Sequence, residues 1–574
     1  MRRSKVAKVT EPRVIVVCCA TLALSGCGGG SSGGGAHAQT FSLSGTLTGY
    51  STSGLVLVVD GSNVPVSSGA MNVTLASGLD AGTAYSVSVA TQPTGETCTV
   101  RNGSGVATAD VSDISIPCTL NSYSIGGSIA GLTKNGLVLM DNGIDATAIS
   151  SDDTGFTMSE RLPYGSNYAI TVQTQPEQET CRLSNGSGTV SANVTSVTAS
   201  CSPSYATSVL YSFTGGSDGG RPQAGLIQGK DGNFYGTTNI GGAHSDGTVF
   251  ELTSGGVETV LYSFAGGSSD GANPYAGLIL ANDGNLYGTT YAGGTNGLGT
   301  VFKLVPGGSE TIIHSFAGGS GDGEKPGAAV IQASDGNFYG TTANGGADMG
   351  GTMFEVTPSG VETVLHSFGG SGDGVAPTGL IQGSDGNFYG TTYSGGENGF
   401  GTVFEVAPGG VETVLYSFAG GNGDGAHPVA GVIQASDGNF YGTTKDGGPR
   451  QSGSVFKLTP TGTETVLYFF GTGSGNGKGV GDGDGANPYA GLIQGGDGNF
   501  YGTTEWGGAG GNGTAFQITP EGIEKVMLDF GTPAQAGSLP LGGLIQGSDG
   551  GFYGTTQLGG AGNAGTLFKI VPLQ

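Results

Sequence analysis

The chain has 574 residues, a formal net charge of −25 at pH 7 and only 11% charged residues. This negative charge argues against nucleic-acid binding, which needs clustered basic residues, and against docking on anionic lipid headgroups. Glycine is abundant, with 119 residues, yet 36% of the chain is hydrophobic and much of this falls in short runs. The composition therefore predicts a Gly-rich repeat fold with a core, and it leaves cations and neutral glycans open as ligands.

The first 27 residues predict an export signal. Basic residues precede an apolar run from Val14 to Leu24 that is too short to span a membrane. The sequence Leu-Ser-Gly-Cys that ends at Cys27 resembles the bacterial lipobox, which implies lipidation of Cys27 and an anchor in the outer membrane or at the cell surface. The alternative is an ordinary signal peptide. Residues 28–40 then predict a flexible Gly/Ser-rich tether.

Two similar segments follow, residues 41–120 and 121–203, offset from each other by 83 residues. Each contains two cysteines 20 residues apart, which predicts the disulfides Cys98–Cys118 and Cys181–Cys201 in an exported protein. Alternating apolar residues between frequent turns predict small immunoglobulin-like β-sandwich domains. We expect them to hold the rest of the protein away from the membrane, with direct ligand binding as the alternative.

Residues 204–574 are predicted to form a repeat domain. Seven units of about fifty residues share the sequence Gly-Leu-Ile-Gln-x-x-Asp-Gly-Asn-Phe-Tyr-Gly-Thr-Thr. Four short segments of β-branched and aromatic residues per unit predict four antiparallel strands, the content of one propeller blade. The domain begins with a lone fourth strand, Val209–Phe213, and ends after a third strand, Thr566–Ile570. We therefore predict an all-β protein whose seven-bladed propeller is closed by pairing of these segments; an open β-solenoid is the alternative.

The repeat resembles the GloVer tandem repeat of bacterial surface proteins, and more distantly the propeller repeats of two-component sensor ectodomains. In the first unit the matching residues are Gly225-Leu226, Asp231-Gly232 and Tyr235-Gly236-Thr237, and later units match in the same way. The resemblance covers about two thirds of the chain. It implies a surface protein and supplies no catalytic residues.

Variable loops on one face of the predicted propeller are the candidate binding site. The loops after the second strands include Tyr291, Tyr393 and Trp506, which we predict to be stacking platforms for a glycan or a protein ligand. A recurring Asp-Gly pair should add six carboxylates to the same face. Its aspartates are Asp218, Asp270, Asp322, Asp373, Asp424 and Asp484.

An insertion in the sixth unit suggests a metal. It ends in Asp482-Gly483-Asp484-Gly485-Ala486-Asn487, and oxygen ligands at alternating positions suit Ca²⁺. Asp482, Asp484 and Asn487 are therefore candidate calcium ligands, although the twelve-residue calcium-loop pattern is incomplete. A solvated Gly-rich loop is the alternative, and no other cofactor is expected.

No catalytic constellation stands out from the repeat background. His244, His314, His366 and His427 lie in different units, and His314 and His366 replace the tyrosine of the fourth strand, so structural placement is expected. The sequence thus favours a non-enzymatic, monomeric, envelope-anchored binding or adhesion protein. The alternatives are a polysaccharide lyase or hydrolase that uses the same face, and a structural envelope component.

Overall fold

The structure, a computed structural model, describes residues 39–471, 482–530 and 537–573. Every regular element in these ranges is a β-strand, and none of the described residues belongs to a helix that is long and apolar enough to cross a membrane. The predicted export signal, the lipidation at Cys27 and all but the last two residues of the predicted tether lie outside the described residues.

The N-terminal part, up to Pro203, contains eighteen strands in two similar units. Strands β1 to β8 are Thr40–Thr48, Val56–Val59, Ser62–Pro65, Asn72–Asp80, Ala84–Thr91, Glu96–Cys98, Ser104–Val106 and Val111–Leu120. Strands β9 to β18 are Ser122–Tyr123, Ile125–Ala130, Leu137–Asp141, Asp145–Ile149, Gly155–Thr157, Leu162–Pro163, Asn167–Thr174, Glu179–Ser184, Ser187–Thr189 and Val194–Pro203.

Each unit packs two four-stranded sheets around one core. In the first unit the sheet orders are β4-β1-β8-β6 and β3-β2-β5-β7, and Leu43, Leu57 and Ile114 meet between them, fully buried. The predicted disulfides Cys98–Cys118 and Cys181–Cys201 are confirmed. Both join residues directly opposite each other on neighbouring strands of one sheet, whereas the antibody-type disulfide links two sheets.

The repeat region contains the remaining strands. Strands β19 to β35 are Tyr205–Ser212, Ile227–Gln228, Phe234–Thr238, Thr248–Leu252, Glu258–Ser263, Gly271–Ala272, Ile279–Leu280, Leu286–Thr290, Ala292–Gly293, Thr300–Val305, Ser309–Ser315, Gly323–Glu324, Ile331–Gln332, Phe338–Thr342, Asn344–Gly345, Thr352–Val356 and Glu362–Ser367. Strands β36 to β53 are Gly374–Gln382, Phe388–Gly395, Thr402–Val406, Glu412–Ser417, Gly425–Ala426, Ile433–Gln434, Phe440–Thr444, Asp446–Gly447, Ser454–Leu458, Glu464–Phe469, Asp482–Pro488, Ile493–Gln494, Phe500–Gly508, Thr514–Ile518, Glu524–Asp529, Ile545–Gln546, Phe552–Thr556 and Thr566–Pro572.

The first strand of the repeat region completes the last sheet. Each of the first six repeats forms an antiparallel sheet from its own strands, as in β20-β21-β22-β23. The final sheet has the order β19-β53-β52-β51, so β19 supplies its fourth strand. Val209 lies opposite Phe568, and Ser212 opposite Thr566. The predicted pairing of the two ends is therefore present, and the open solenoid is wrong.

Side chains link neighbouring sheets all the way around. Thr237 Oγ1 donates to the carbonyl oxygen of Ala276 in the next repeat, 3.0 Å away. The same bond joins the last repeat to the first, from Thr555 Oγ1 to Ala224 O, also 3.0 Å. A second closing bond runs from the Ser548 amide to the side chain of Gln228. The last and first repeats, which are far apart in sequence, thus make the same contact as neighbouring repeats. The repeat region is therefore a closed, β-propeller-like ring.

The repeated residues serve this architecture. A phenylalanine of one repeat packs on a tyrosine of the preceding repeat at six junctions, with ring centroids 4.1 to 4.3 Å apart. The strand glycine leaves room for a ring, because a Cβ at Gly288 would lie 2.7 Å from the Phe302 side chain. The turn aspartate accepts a hydrogen bond from the same tyrosine, as in Asp283 and Tyr287. The residues that vary between repeats are therefore the ones that this architecture does not require.

Candidate functional site

A backbone kink recurs where the chain enters each repeat. We call the residues that precede the Ile-Gln or Ile-Leu strand of each repeat, from the position of the recurring Asp-Gly pair onwards, the lead-in segment. In all seven repeats the residue before its proline has a positive φ, between 53° and 58°, a conformation that costs free energy for any residue with a Cβ. These residues are Arg221, Asn273, Lys325, Ala376, His427, Asn487 and Leu539. The backbone is thus constant, whereas the side chains it presents differ from repeat to repeat.

Three partly exposed tyrosines lie in or next to these variable segments. Tyr275 and Tyr489 follow the kink prolines of the second and sixth repeats, and Tyr393 lies in β37 of the fourth. Their exposed fractions are 38%, 37% and 41%. Tyr489 interacts electrostatically with both Tyr275 and Tyr393. These three residues, which come from alternate repeats of the ring, are here called the tyrosine cluster (Tyr275, Tyr393 and Tyr489).

Charged groups at the tyrosine cluster neutralise one another. Lys445 Nζ lies 3.1 Å from Glu505 Oε2 and 4.8 Å from the centroid of the Tyr489 ring. Burial raises the pKa of Tyr489; Lys445 opposes the shift, and Glu505 adds to it. The phenol is therefore neutral at physiological pH. The cluster thus offers aromatic faces and hydroxyl groups beside one ion pair, and Lys325 Nζ lies 6.0 Å from the centroid of the neighbouring Tyr291 ring.

A second polar pair stands beside Tyr393. Its ring stacks on His427 with centroids 4.9 Å apart, and His427 Nδ1 lies 3.1 Å from Asp446 Oδ2. Both carboxylates described near the cluster, Glu505 and Asp446, thus have a basic partner. The arrangement can bind a ring-shaped ligand by stacking and hydrogen bonding.

The three aromatic residues predicted from the sequence have different positions relative to the tyrosine cluster. Tyr393 belongs to the cluster, and Tyr291 touches it through Tyr275, with ring centroids 5.1 Å apart. Trp506 follows Glu505 directly on β48, and successive residues of a strand point to opposite sides. Its ring therefore faces away from the side on which Glu505 contacts Lys445.

Tyr275 and Tyr489 were not predicted as site residues. Their signal is present in the sequence, because Asn-Pro-Tyr occurs in two of the seven lead-in segments, whereas the other five have different residues at the tyrosine position.

The recurring aspartates do not form an open acidic face, which corrects the sequence-based expectation. Asp270, Asp322, Asp424 and Asp484 are buried. Each accepts a hydrogen bond from the tyrosine, or forms an ion pair with the histidine, of the preceding fourth strand. Tyr262 Oη, for example, donates to Asp270 Oδ2 at 2.9 Å. These carboxylates hold the lead-in segment against its sheet.

The candidate calcium ligands lie in β46. Asp484 accepts a hydrogen bond from Tyr468 Oη, 2.7 Å away. Asn487 is fully buried, and its amide nitrogen donates to the carbonyl oxygen of Lys445 at 2.8 Å. The side chain of Asp482 lies outside the described residues, as does most of the insertion. Calcium binding by these three residues stays a prediction.

The sequence matches a known family over most of its length. The family described as the Gloeobacter/Verrucomicrobia repeat matches residues 181–321, 295–481 and 476–574. No curated protein matches the chain.

Several solved structures are similar to part of the chain. Virginiamycin B lyase from Staphylococcus aureus is 14% identical, with a TM-score of 0.43, and the match covers 64% of this chain and 99% of that one. The extracellular domain of a protein described as a hybrid two-component system from B. thetaiotaomicron is 11% identical, with a TM-score of 0.40. That match covers 63% of this chain and 39% of the other. A gluconolactonase from Xanthomonas campestris is 13% identical, with a TM-score of 0.34 and coverage of 64% and 90%.

Proposed function

Because the chain belongs to the Gloeobacter/Verrucomicrobia repeat family, we propose that it is an exported bacterial surface protein that binds a neutral polysaccharide without cleaving it. In this proposal residues 204–574 form a seven-bladed propeller, and its tyrosine cluster is the binding site. Two immunoglobulin-like sandwiches act as spacers, and lipidated Cys27 anchors the protein in the outer membrane.

One observation carries the binding proposal. Tyr275, Tyr393 and Tyr489 come from alternate repeats and remain more than a third exposed, whereas the tyrosines of the repeat consensus are largely buried between sheets. A tyrosine ring stacks on the apolar face of a pyranose, and its hydroxyl can bond to sugar hydroxyls. The paired charges around the cluster favour a neutral ligand over an ionic one.

The disulfides support export. Structural disulfides form and persist in oxidising compartments, and both sandwich units contain one. A disulfide between paired strands also suits a spacer, because it keeps a small domain folded outside the cell. Surface protease accessibility on intact cells would test the outward orientation, and mass spectrometry of the mature N-terminus would test acylation of Cys27.

The binding test is titration calorimetry with soluble neutral polysaccharides such as β-glucan, xylan and mannan. Reducing-end release is measured in the same samples. We expect saturable heat with at least one polymer and no new reducing ends. Release of reducing ends would favour the enzyme. Absence of heat with every polymer tested would contradict the proposal.

Two variants locate the site. The triple variant Tyr275→Ala/Tyr393→Ala/Tyr489→Ala should lose at least ten-fold in affinity, since each stacking contact contributes on the order of 1 kcal/mol. Trp506→Ala is the matched control. It removes an aromatic ring that was predicted on the same face of the propeller but that points away from the cluster. Loss of binding in Trp506→Ala, with binding retained in the triple variant, would move the site to the originally predicted tryptophan.

A further inference from the structure

The outer edges of neighbouring sheets are joined by a recurring group of three side chains, here called the outer triad. It consists of a tyrosine or histidine on the fourth strand of one repeat, the recurring aspartate after that strand, and the glutamate in the first or second position of the fourth strand of the next repeat. Tyr262, Asp270 and Glu310 form one example. In that repeat the tyrosine hydroxyl donates to the aspartate at 2.9 Å.

Two outer triads contain histidine instead. His314 Nε2 lies 3.2 Å from Asp322 Oδ2, and His366 Nε2 lies 3.0 Å from Asp373 Oδ2. Their glutamates are Glu362 and Glu412, and in each triad one ligand atom from all three residues falls within 4.8 Å of the others. This spacing brings one imidazole nitrogen and two carboxylate oxygens to a common point.

The glutamate in each of these triads has an unused oxygen. Oε1 of Glu362 and Oε1 of Glu412 are buried and have no hydrogen-bond partner among the described residues, as is also true of the equivalent glutamates in the tyrosine triads. The aspartate carboxylates, in contrast, are held in place by backbone amide groups. Asp322 Oδ1 accepts the Gly323 amide at 2.6 Å, an outer contact of the kind that orients a carboxylate towards a metal.

We propose that His314–Asp322–Glu362 and His366–Asp373–Glu412 are two structural sites for a divalent transition-metal ion such as Zn²⁺. One imidazole and two carboxylates are ligands that Zn²⁺ accepts, and water can complete a four-coordinate ion. A tyrosine in the same position leaves the triad without its nitrogen ligand, so the four tyrosine triads do not bind in this way.

The two bound ions would cross-link the third sheet to the sheet before it and to the sheet after it. Strand β35 supplies Glu362 to the first site and His366 to the second. Each bound ion would cross-link the outer strands of adjacent sheets, where neutralisation of two neighbouring carboxylates removes their mutual repulsion. Metal should therefore stabilise the ring without touching the tyrosine cluster.

The test is calorimetric titration of the whole metal-stripped protein with ZnCl₂, together with the thermal midpoint of Trp506 fluorescence. We expect two ions per chain in the native protein, one in His314→Tyr, one in His366→Tyr and none in the double variant. These variants should fold, because tyrosine occupies the same position in the other outer triads. Zn²⁺ should raise the midpoint of the native protein and leave that of the double variant unchanged.

Two outcomes would overturn the assignment. One is the absence of Zn²⁺ binding below millimolar concentration, which would leave each histidine as an ion-pair partner of its aspartate. The other is unchanged stoichiometry in the double variant, which would place the metal elsewhere, for example at His427 and Asp446. Cobalt substitution provides a second readout, since visible d–d bands should appear in the native protein and disappear in the double variant.

Discussion

The aromatic stacks between adjacent sheets allow a quantitative test of what holds the ring together. Phe338 is fully buried, with its ring centroid 4.1 Å from that of Tyr287 in the preceding repeat. At the junction before it, Leu286 stands in the phenylalanine position, opposite Tyr235. Phe338→Leu therefore introduces a residue that the fold already accepts at the equivalent site.

The expected cost of Phe338→Leu is about 2 kcal/mol in the free energy of unfolding. Loss of the aromatic pair contributes about 0.5–1.5 kcal/mol, and loss of buried apolar area contributes about 1 kcal/mol more. Trp506 is the only tryptophan of the chain and lies in the repeat region. Its fluorescence during urea unfolding thus reports this region separately from the sandwich units.

A double-mutant cycle isolates the stack itself. The single variants Tyr287→Leu and Phe338→Leu and their combination should show a coupling free energy of about 0.5–1.5 kcal/mol. The hydrogen bond that Tyr287 donates to Asp283 does not contribute to this coupling free energy, because it is lost equally in the Tyr287→Leu single variant and in the double variant. Leu286→Phe is the matched addition and should create a new coupling with Tyr235. A coupling below about 0.3 kcal/mol for Tyr287 and Phe338 would refute the idea that stacking, rather than burial alone, joins the sheets.

Three further predictions concern stability. Burial and a neighbouring aspartate raise the pKa of Glu310 to about 7, so its contribution to stability should be full below about pH 4.5 and be lost as the pH rises through 7. In urea unfolding, Glu310→Gln should remove about 1–2 kcal/mol of this pH dependence, a value that allows for the partial exposure of the side chain. Gly288→Ala should cost about 1–3 kcal/mol by the same assay, and Gly390→Ala more, because the new Cβ would meet a backbone oxygen at 2.4 Å rather than only a movable ring. Replacement of both cysteines of Cys98–Cys118 by alanine should lower the stability of the first sandwich by about 3 kcal/mol in calorimetry and leave the Trp506 transition unchanged.

The closure of the ring was predictable because it depends on strand count and order. A lone fourth strand before the first repeat and a missing fourth strand after the last leave one consistent pairing, and β19 pairs with β53 accordingly. The disulfides were predictable for a similar reason. Equal spacing in two aligned segments left one economical connection, and Cys98 and Cys181 each face their partner on the adjacent strand.

The candidate site was only partly predictable, because it depends on contacts between distant repeats. Tyr275 and Tyr489 are 214 residues apart, and the fold brings them close enough to interact electrostatically. Trp506 shows the effect of register, since one residue along a strand reverses the direction of a side chain. The recurring aspartates looked like surface turn residues; their burial follows from a hydrogen bond to a tyrosine or histidine of the preceding strand, as Asp270 makes to Tyr262.

The tyrosine cluster lies on a ring that closes only if the two ends of the repeat region pair, so cross-linking of that seam is the most direct test. Ser208 and Lys569 lie opposite each other on β19 and β53, at a separation that antiparallel pairs and disulfides share. Ser208→Cys/Lys569→Cys should oxidise to an intramolecular disulfide that changes migration on a non-reducing gel. The control Ser208→Cys/Thr363→Cys, whose second cysteine lies on β35, should not. Free thiols in the first variant, or cross-links only between molecules, would contradict closure of the ring.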